Sequence, residues 1–107
     1  MVTQRFDVFR NPSTVAAKHI PFLLVVQSEL LDELPTRVVV PLVKSTAIKG
    51  PSATMLNPEF EIDRTRVTML TQQIAGVPTD ILRKRETNLE PQREVILRAL
   101  DFLFSGI

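Results

Sequence analysis

The sequence predicts a mainly β domain, a β-rich α+β fold that ends in one helix. Segments 21–28 and 36–44 are rich in β-branched and aromatic residues, which favour strands. Segment 90–106 instead repeats apolar residues at helical spacing between a proline and a glycine. With 107 residues, of which 44% are hydrophobic and 23% charged, we expect a single folded domain over residues 1–107.

The first half of the chain contains three predicted strands. Residues 3–9 (TQRFDVF) alternate polar and apolar side chains ahead of the turn cluster RNPS, which predicts a short strand. Segments 21–28 (PFLLVVQS) and 36–44 (TRVVVPLVK) are predicted to be central strands. Pro41 cannot donate a ladder hydrogen bond, so we expect a bulge or a sheet edge at that point.

Two adjacent leucines lie between the predicted central strands. Leu30 and Leu31 belong to the segment ELLDELP, which could form one helical turn or a loop. Neighbouring side chains of a strand point to opposite faces. The two leucines therefore cannot both point inward on a strand, and we expect one of them to be exposed.

The second half of the chain is less regular. Residues 44–58 shift to small residues with the turn dipeptides Gly-Pro and Asn-Pro, which predicts a loop or a small hairpin. FEI (60–62) and RVTMLTQQI (66–74) flank the polar DRT, so a hairpin is expected there. AGVP (75–78) breaks the pattern, and TDILRKRETN (79–88) could be a last short strand followed by a solvated connection.

The C-terminal segment is the clearest predicted helix. Pro91 suits the first helical position, and Gly106 suits the residue that ends a helix. At about 100° per residue, the polar side chains share one narrow stripe and apolar residues take nearly all the rest. The stripe contains Glu94, Arg98, Asp101 and Ser105. A helix on one sheet needs an apolar arc of only about 100°, so we expect a second subunit or a partner to cover this one.

The apolar pattern continues to the last residues of the sequence, ALDFLFSGI. Chain ends are usually polar, because water satisfies a loose terminus. Such segments are often core, but a terminal carboxylate on Ile107 could not be buried without a partner. We therefore expect this segment to form a contact surface.

The composition gives little support to catalysis or to a bound cofactor. There is no cysteine and one histidine, so metal-ligand spacings and cysteine nucleophiles are excluded. Serine elbow motifs and phosphate-cradling glycine loops are also missing, so we expect no enzyme activity, no metal and no cofactor. A net charge of +1 is too small to hold nucleic acid by itself. The longest apolar run, residues 21–26, is too short for a membrane span and no signal peptide is recognisable, which predicts a cytoplasmic protein.

Two weaker hypotheses remain open at this point. His19 could act as a general base with Arg37 as an electrophile, although a single histidine at a strand entrance is usually a surface or capping residue. The basic run Arg83, Lys84 and Arg85 could contact phosphate, although a solvated connection balanced by nearby glutamates is the simpler interpretation.

Several motifs, in their order along the chain, resemble CcdB, the toxin family of the Ccd toxin–antitoxin systems. They are Val26-Gln27-Ser28 followed by Glu29 and Leu30-Leu31-Asp32, the strand from Arg37 to Leu42, Met69-Leu70-Thr71 before Val77-Pro78, and the terminal Gly106-Ile107. Each motif alone is weak, and their order and spacing make the match specific. The resemblance covers nearly the whole chain, while residues 1–20 and 44–60 match only loosely.

The resemblance implies an SH3-like barrel of antiparallel strands, as in the MazF and Kid toxins, with a small extra sheet and a long C-terminal helix. It also implies a homodimer, which would supply the second cover for the helix. Such a dimer binds the A subunit of DNA gyrase and traps the enzyme with its DNA cleaved. A CcdA-like antitoxin would neutralise the toxin, and operator DNA would be bound only through the toxin–antitoxin complex in operon autorepression.

The resemblance further indicates gyrase-binding residues at the helix end and in the aliphatic pair after Gln27-Ser28. They are Leu30, Leu31, Asp101, Phe104, Ser105, Gly106 and Ile107. Ser105 stands where the best-known members carry a tryptophan that is thought to stack on an arginine of gyrase. A cation–π contact is worth about 0.5–2 kcal/mol, so either the loss is compensated elsewhere or this protein is a weaker poison.

Two other functions are compatible with the sequence. A MazF-like endoribonuclease would use Arg37 with His19 or a nearby acid, and it would need a basic concave surface that the charge balance does not favour. A dimeric operon co-repressor without toxicity is the third hypothesis.

Overall fold

The computed structural model describes residues 3–50 and 55–106. These residues form the strands β1 (Asp7–Arg10), β2 (Phe22–Val25), β3 (Thr36–Lys44), β4 (Glu59–Ile62), β5 (Thr65–Met69), β6 (Ala75–Pro78) and β7 (Arg85–Asn88), and the helix α1 (Arg93–Ser105). Short 3₁₀ turns connect them at Ala16–Lys18, Glu29–Leu31, Ser45–Ala47, Thr71–Gln73, Thr79–Ile81 and Glu90–Gln92. The described part of the chain is therefore strand-rich with one α-helix near its end, which confirms the predicted fold class.

The strands form one curled antiparallel sheet in the order β4-β5-β3-β2-β1-β7, with β6 pairing β3 beside β5. The long strand β3 is the centre of this half-barrel, because β2 runs along one of its sides while β6 and β5 share the other. The hairpin of β4 and β5 joins β3 through its last residues only, Leu42 to Lys44. This hairpin is the smaller part of the sheet and is continuous with the rest of it.

Pro41 lies where β3 changes neighbour. Its pairing with Leu23 of β2 continues without a register shift. On the other side, β6 pairs with residues 36–39 and β5 with residues 42–44. The Pro41 carbonyl accepts the Leu70 N–H at 3.1 Å on that side, so the missing proline N–H faces the gap between the two neighbours. The interruption expected at Pro41 is thus a local gap on one side of a central strand.

The helix packs on one face of the sheet and buries three of its residues completely or nearly so, Ile96, Ala99 and Leu100. A second, smaller cluster on the opposite face contains Phe9, Val25, Val39 and Leu82. Because apolar residues point to both faces, the central strands read as continuous β-branched runs and not as alternating patterns. None of the described helices is long and apolar enough to cross a lipid bilayer.

Several predicted element boundaries need correction. AGVP is not a break but the edge strand β6, which pairs with the first half of β3. Segment 79–88 begins with a 3₁₀ turn, and its strand is the polar β7 at the end of the segment. The first strand begins at Asp7, because residues 4–6 form a turn in which Phe6 has a φ of 72°.

The predicted helix ends are close to the observed ones. Pro91 lies in the 3₁₀ turn that directly precedes the helix, and α1 itself begins at Arg93. Gly106 ends α1 in the left-handed conformation, with a φ of 71°, and its N–H donates to the Phe102 carbonyl at 2.9 Å. The predicted loop at 44–58 starts with a 3₁₀ turn, while its residues 51–54 lie outside the described part of the chain.

The predicted hairpin around DRT is confirmed, and its turn is strained. Asp63 and Arg64 both have positive φ values, 48° and 64°, as in the two-residue turns that favour glycine. We expect Arg64→Gly to raise the free energy of unfolding by roughly 0.5–1 kcal/mol, because glycine adopts this conformation without strain. Urea denaturation measures the change. Arg66→Gly, at a normal strand position of the same hairpin, is the control and is expected to destabilise. A similar loss in both variants would contradict the strain at Arg64.

Candidate functional site

A groove lies between the 3₁₀ turn Glu29–Leu31 and the C-terminal end of α1, with a volume of about 390 Å³. Its floor is apolar and comes from the residue after β2, from β3, from the segment before β6 and from the helix: Val26, Val38, Ile74, Leu97 and Leu100. Its polar side chains are Arg5, Gln27, Ser28 and Asp101, and Leu31 and Phe104 complete its lining. The groove is therefore an apolar floor with a polar rim, as expected of a binding surface.

The groove brings together residues predicted from distant parts of the sequence. Leu31, Asp101 and Phe104 all line it, and Leu30 lies next to Leu31 on the same turn. Ser105 and Gly106 follow Phe104 at the end of α1. The seventh predicted residue, Ile107, lies outside the described residues. The described members of the predicted site thus converge on one face of the molecule.

This face exposes large apolar side chains. Leu30 is 94% exposed, Leu31 50% and Phe104 74%. The sequence predicts that one of the two leucines is exposed, and both are, because their turn projects from the sheet instead of continuing the strand. Large apolar side chains exposed at one groove are typical of an interaction site.

Gln27 holds the base of the 3₁₀ turn Glu29–Leu31, called the leucine turn below, through side-chain hydrogen bonds. Its side chain is buried and bonds three backbone groups: Nε2 donates to the carbonyls of Leu31 at 3.2 Å and Thr36 at 3.3 Å, and Oε1 accepts the Val38 N–H at 3.0 Å. The amide thereby replaces backbone pairing where β2 and β3 diverge. Ser28 caps the turn, since its Oγ accepts the Leu30 N–H at 3.2 Å.

Arg37 braces the other side of the same loop. Its side chain is buried, and one terminal nitrogen donates to the carbonyls of Leu34 at 2.6 Å and Thr36 at 2.9 Å. The other terminal nitrogen binds both the carbonyl and the carboxylate of Asp32, the latter at 2.7 Å. The exposed leucines therefore sit on a loop whose shape is set before any partner arrives, which lowers the entropic cost of binding.

The helix end presents Phe104 in a defined direction. Ser105 Oγ donates to the Asp101 carbonyl at 2.8 Å, and Gly106 closes the last turn. In a single chain, several apolar side chains of the helix are not covered by the sheet: Val95 is exposed, and Phe102 and Leu103 are only half-buried. The overfull apolar face predicted from the sequence is thus present in the structure.

The residues of the alternative nuclease site do not come together. His19 is exposed, and its carbonyl accepts the Lys44 N–H at 2.8 Å near the end of β3. Arg37 lies at the start of that strand, roughly 20 Å away at the rise of an extended chain. Arg37 is also fully engaged in the loop, so it is not available to polarise a substrate.

Another concavity of the described residues, about 680 Å³, lies elsewhere, between segments 10–14 and 80–84. Arg83 and Lys84 line it together with Asp80, and Arg10 is already paired with Glu86 at 2.7 Å. Arg85, the third residue of the basic run, points instead to the buried carboxylate of Asp7 at 3.1 Å. The basic run is therefore divided between two surroundings and does not form one phosphate-binding surface.

Sequence reasoning did not identify the roles of Arg5, Gln27 and Arg37 at this site. Their polar side chains serve buried or half-buried backbone groups, and arginine and glutamine are mostly exposed in proteins. The Gln-Ser pair that opens the leucine turn belongs to the motifs that resemble CcdB, and it is the one available sequence signal for Gln27.

Comparison with known proteins agrees with this geometry. A search of curated proteins found no match. A family model described as CcdB protein matches residues 5–106, which include Arg5, the leucine turn, the whole sheet and α1 up to Gly106. Since the match covers nearly the full length of the chain, the chain belongs to the CcdB family.

Proposed function

We propose that the protein is a toxin that binds the A subunit of DNA gyrase and traps the gyrase–DNA cleavage complex, thereby blocking replication and transcription. Membership of the CcdB family supports a toxin role in a toxin–antitoxin system. The observation that carries the gyrase proposal is the convergence of Leu31 and Phe104 on one groove, with Leu30 beside it. The proposed contact surface contains Leu30, Leu31, Asp101, Phe104, Ser105, Gly106 and Ile107.

A poison of this kind acts by binding alone. It needs only a higher affinity for the cleaved conformation of gyrase than for the other conformations, and this difference shifts the population toward the cleaved complex. Rigid apolar side chains suit that task, because burying one such side chain is worth about 1.5–3 kcal/mol. No nucleophile or general base is required of the toxin, and we propose that it is not an enzyme.

The proposed active form is a homodimer in the cytoplasm. A second copy would cover the exposed and half-buried flank of α1 around Val95, Phe102 and Leu103. It would also present the contact surface twice, so that two linked contacts could gain avidity without new residues. A CcdA-like antitoxin would neutralise the toxin and join it in repressing their operon, with operator DNA bound only through that complex.

Ser105 changes how the helix end can contact gyrase. Its hydroxyl is turned back onto the Asp101 carbonyl, so it caps the helix and offers no aromatic face. The proposed contact therefore depends on Phe104 and the leucine turn, which are the large exposed apolar groups of this face.

Purified protein mixed with gyrase, ATP and supercoiled DNA tests the proposal. We expect linear DNA to accumulate after the complex is denatured with detergent and digested with protease. Direct binding to the isolated A subunit, measured by calorimetry, is the second readout. Absence of both linear DNA and binding would refute the gyrase proposal. In induced cells, RNA fragmentation would favour an endoribonuclease, and unaffected growth would favour a co-repressor.

A further inference from the structure

Arg5 is a basic residue of the groove that none of the predicted contacts includes. Among the described residues that line the groove, Arg5 is the only cation and Asp101 the only anion. Its Nε donates to the Val26 carbonyl at 3.1 Å, and its guanidinium carbon lies 5.1 Å from the centroid of the Phe6 ring. It forms no ion pair with any carboxylate in the described part of the chain. The guanidinium is thus oriented and has no carboxylate within ion-pair distance, while Glu29 Oε1 accepts the backbone N–H of Arg5 at 3.2 Å.

A strained turn holds Arg5 in this position. Phe6 is 1% exposed and has a φ of 72°, a conformation that a bulky residue rarely adopts. Such strain costs about 1–3 kcal/mol and persists only where the surroundings enforce it. Here the Phe6 N–H donates to the Val25 carbonyl at 2.7 Å, and the Phe6 carbonyl accepts the Leu89 N–H at 2.8 Å.

The buried carboxylate of Asp7 completes the turn. It accepts the Gln4 N–H at 2.8 Å, the Asn88 amide at 2.9 Å and the Arg85 Nε at 3.1 Å. The same Asn88 amide donates to the carbonyl of Arg5 at 3.1 Å. The backbone on both sides of Phe6 is therefore fixed by buried groups, and strain maintained in this way is common at binding sites.

We infer that the groove receives a partner segment that places an apolar side chain on its floor and a carboxylate against Arg5. This inference rests on the proposed function only in taking the groove as the target-binding surface. With Nε engaged, the two terminal nitrogens of the planar guanidinium suit a bidentate contact with a carboxylate. The groove volume of about 390 Å³ lies at the lower end of the range for ligand pockets, roughly 300–1,000 Å³.

The charges of the groove also give it a direction. Arg5 lies on the sheet side and Asp101 on the helix side. A partner segment with its carboxylate toward the sheet is attracted at Arg5, while the reversed orientation places that carboxylate near Asp101. Arg5 is therefore the residue that sets both the chemistry and the orientation of the occupant.

Two small probes test the groove without any protein partner. 4-Phenylbutyrate and 4-phenylbutylamine share an aromatic group and a four-carbon chain, and they carry opposite charges. Each is titrated into the ¹⁵N-labelled full chain while the amide signals of Leu31, Ile74 and Leu100 are followed. We expect the acid to bind roughly tenfold more tightly than the amine, as for a charge-assisted hydrogen bond at a half-buried site.

Arg5→Gln should abolish this preference for the acid, and Arg5→Lys should retain part of it. Arg98→Gln is the matched control, because it removes one exposed cation from α1 outside the groove. Thermal unfolding checks that each variant is folded. Equal affinities for the two probes, or a preference that survives Arg5→Gln, would overturn the inference.

The same variants, tested for binding to gyrase, separate this inference from the proposed function. Loss of the acid preference in Arg5→Gln, together with no gyrase binding by the wild type, would support the groove chemistry and refute the gyrase target. Normal gyrase binding by the wild type and by Arg5→Gln, with equal probe affinities, would refute the inference and leave the gyrase proposal standing. Reduced gyrase affinity in Arg5→Gln with a retained Arg98→Gln affinity supports both.

Discussion

Phe104→Asp is expected to lower the affinity for the gyrase A subunit by about 100-fold or more while leaving the chain folded. The variant loses the burial of an aromatic side chain, about 1.5–3 kcal/mol. It also brings a carboxylate into an apolar contact, where a charge without a partner is costly. Since about 2.7 kcal/mol corresponds to 100-fold in affinity, the two effects together reach the expected loss. Calorimetry measures the affinity, and the gyrase-dependent DNA cleavage assay should lose its linear product.

Val15→Asp is the matched control for this variant. Val15 is 76% exposed and Phe104 74%, so the two substitutions introduce the same charge at sites of equal exposure. Val15 lies before the first 3₁₀ turn and does not line the groove. Both variants should unfold within about 0.5 kcal/mol of the wild type, as surface substitutions usually do. Equal gyrase affinities for the two variants would mean that Phe104 is not part of the contact.

The parts of the fold that are readable from the sequence are those where a local signal and the tertiary structure agree. The run TRVVVPLVK forms β3 over the predicted residues 36–44. Its β-branched residues favour a strand and it contains no signal for a helix, so the local preference agrees with the tertiary structure. Gly106 ends α1 as expected, because few other residues adopt its φ of 71° without cost. Pro41 is correctly associated with an interruption of pairing.

The missed elements have little local signal. β6 consists of Ala-Gly-Val-Pro and is a strand only because the edge of β3 offers it partners from Thr36 to Val39. β7 is an edge strand with a polar sequence, RETN, so neither alternation nor hydrophobicity reveals it. The predicted start of β1 is wrong because nothing in the residue type of Phe6 indicates a positive φ.

The candidate site shows the same division. Its members are predicted through the family resemblance. No residue pattern indicates that Leu31 and Phe104, which are far apart in the sequence, line the same groove. The structure adds that relation and also assigns Arg37 to a different role. From sequence alone Arg37 is a candidate electrophile. In the structure its side chain is buried and donates to three backbone carbonyls, so it supports the loop.

Arg37→Met should lower the free energy of unfolding by about 2–4 kcal/mol. The substitution keeps an apolar stem of similar length but leaves the carbonyls of Asp32 and Leu34 without their donor, while the Thr36 carbonyl keeps only its bond from Gln27. These bonds are partly buried, and an acceptor that loses its partner away from water costs about 1–3 kcal/mol. The half-exposed carboxylate of Asp32 adds little, because water screens it. Urea denaturation measures the change, and amide hydrogen exchange over residues 28–36 should accelerate, since this loop loses its brace.

Arg66→Met provides the comparison that separates this brace from an ordinary ion pair. Arg66 pairs with Glu59 at 3.1 Å, and its side chain is 62% exposed against 9% for Arg37. Exposed pairs contribute about 0–1 kcal/mol, so Arg66→Met should barely move the unfolding midpoint. Arg37→Met should additionally weaken gyrase binding, because Leu30 and Leu31 must then be ordered at the moment of contact. If both variants shifted the midpoint equally, the hydrogen bonds of Arg37 would not be what holds the leucine turn in place.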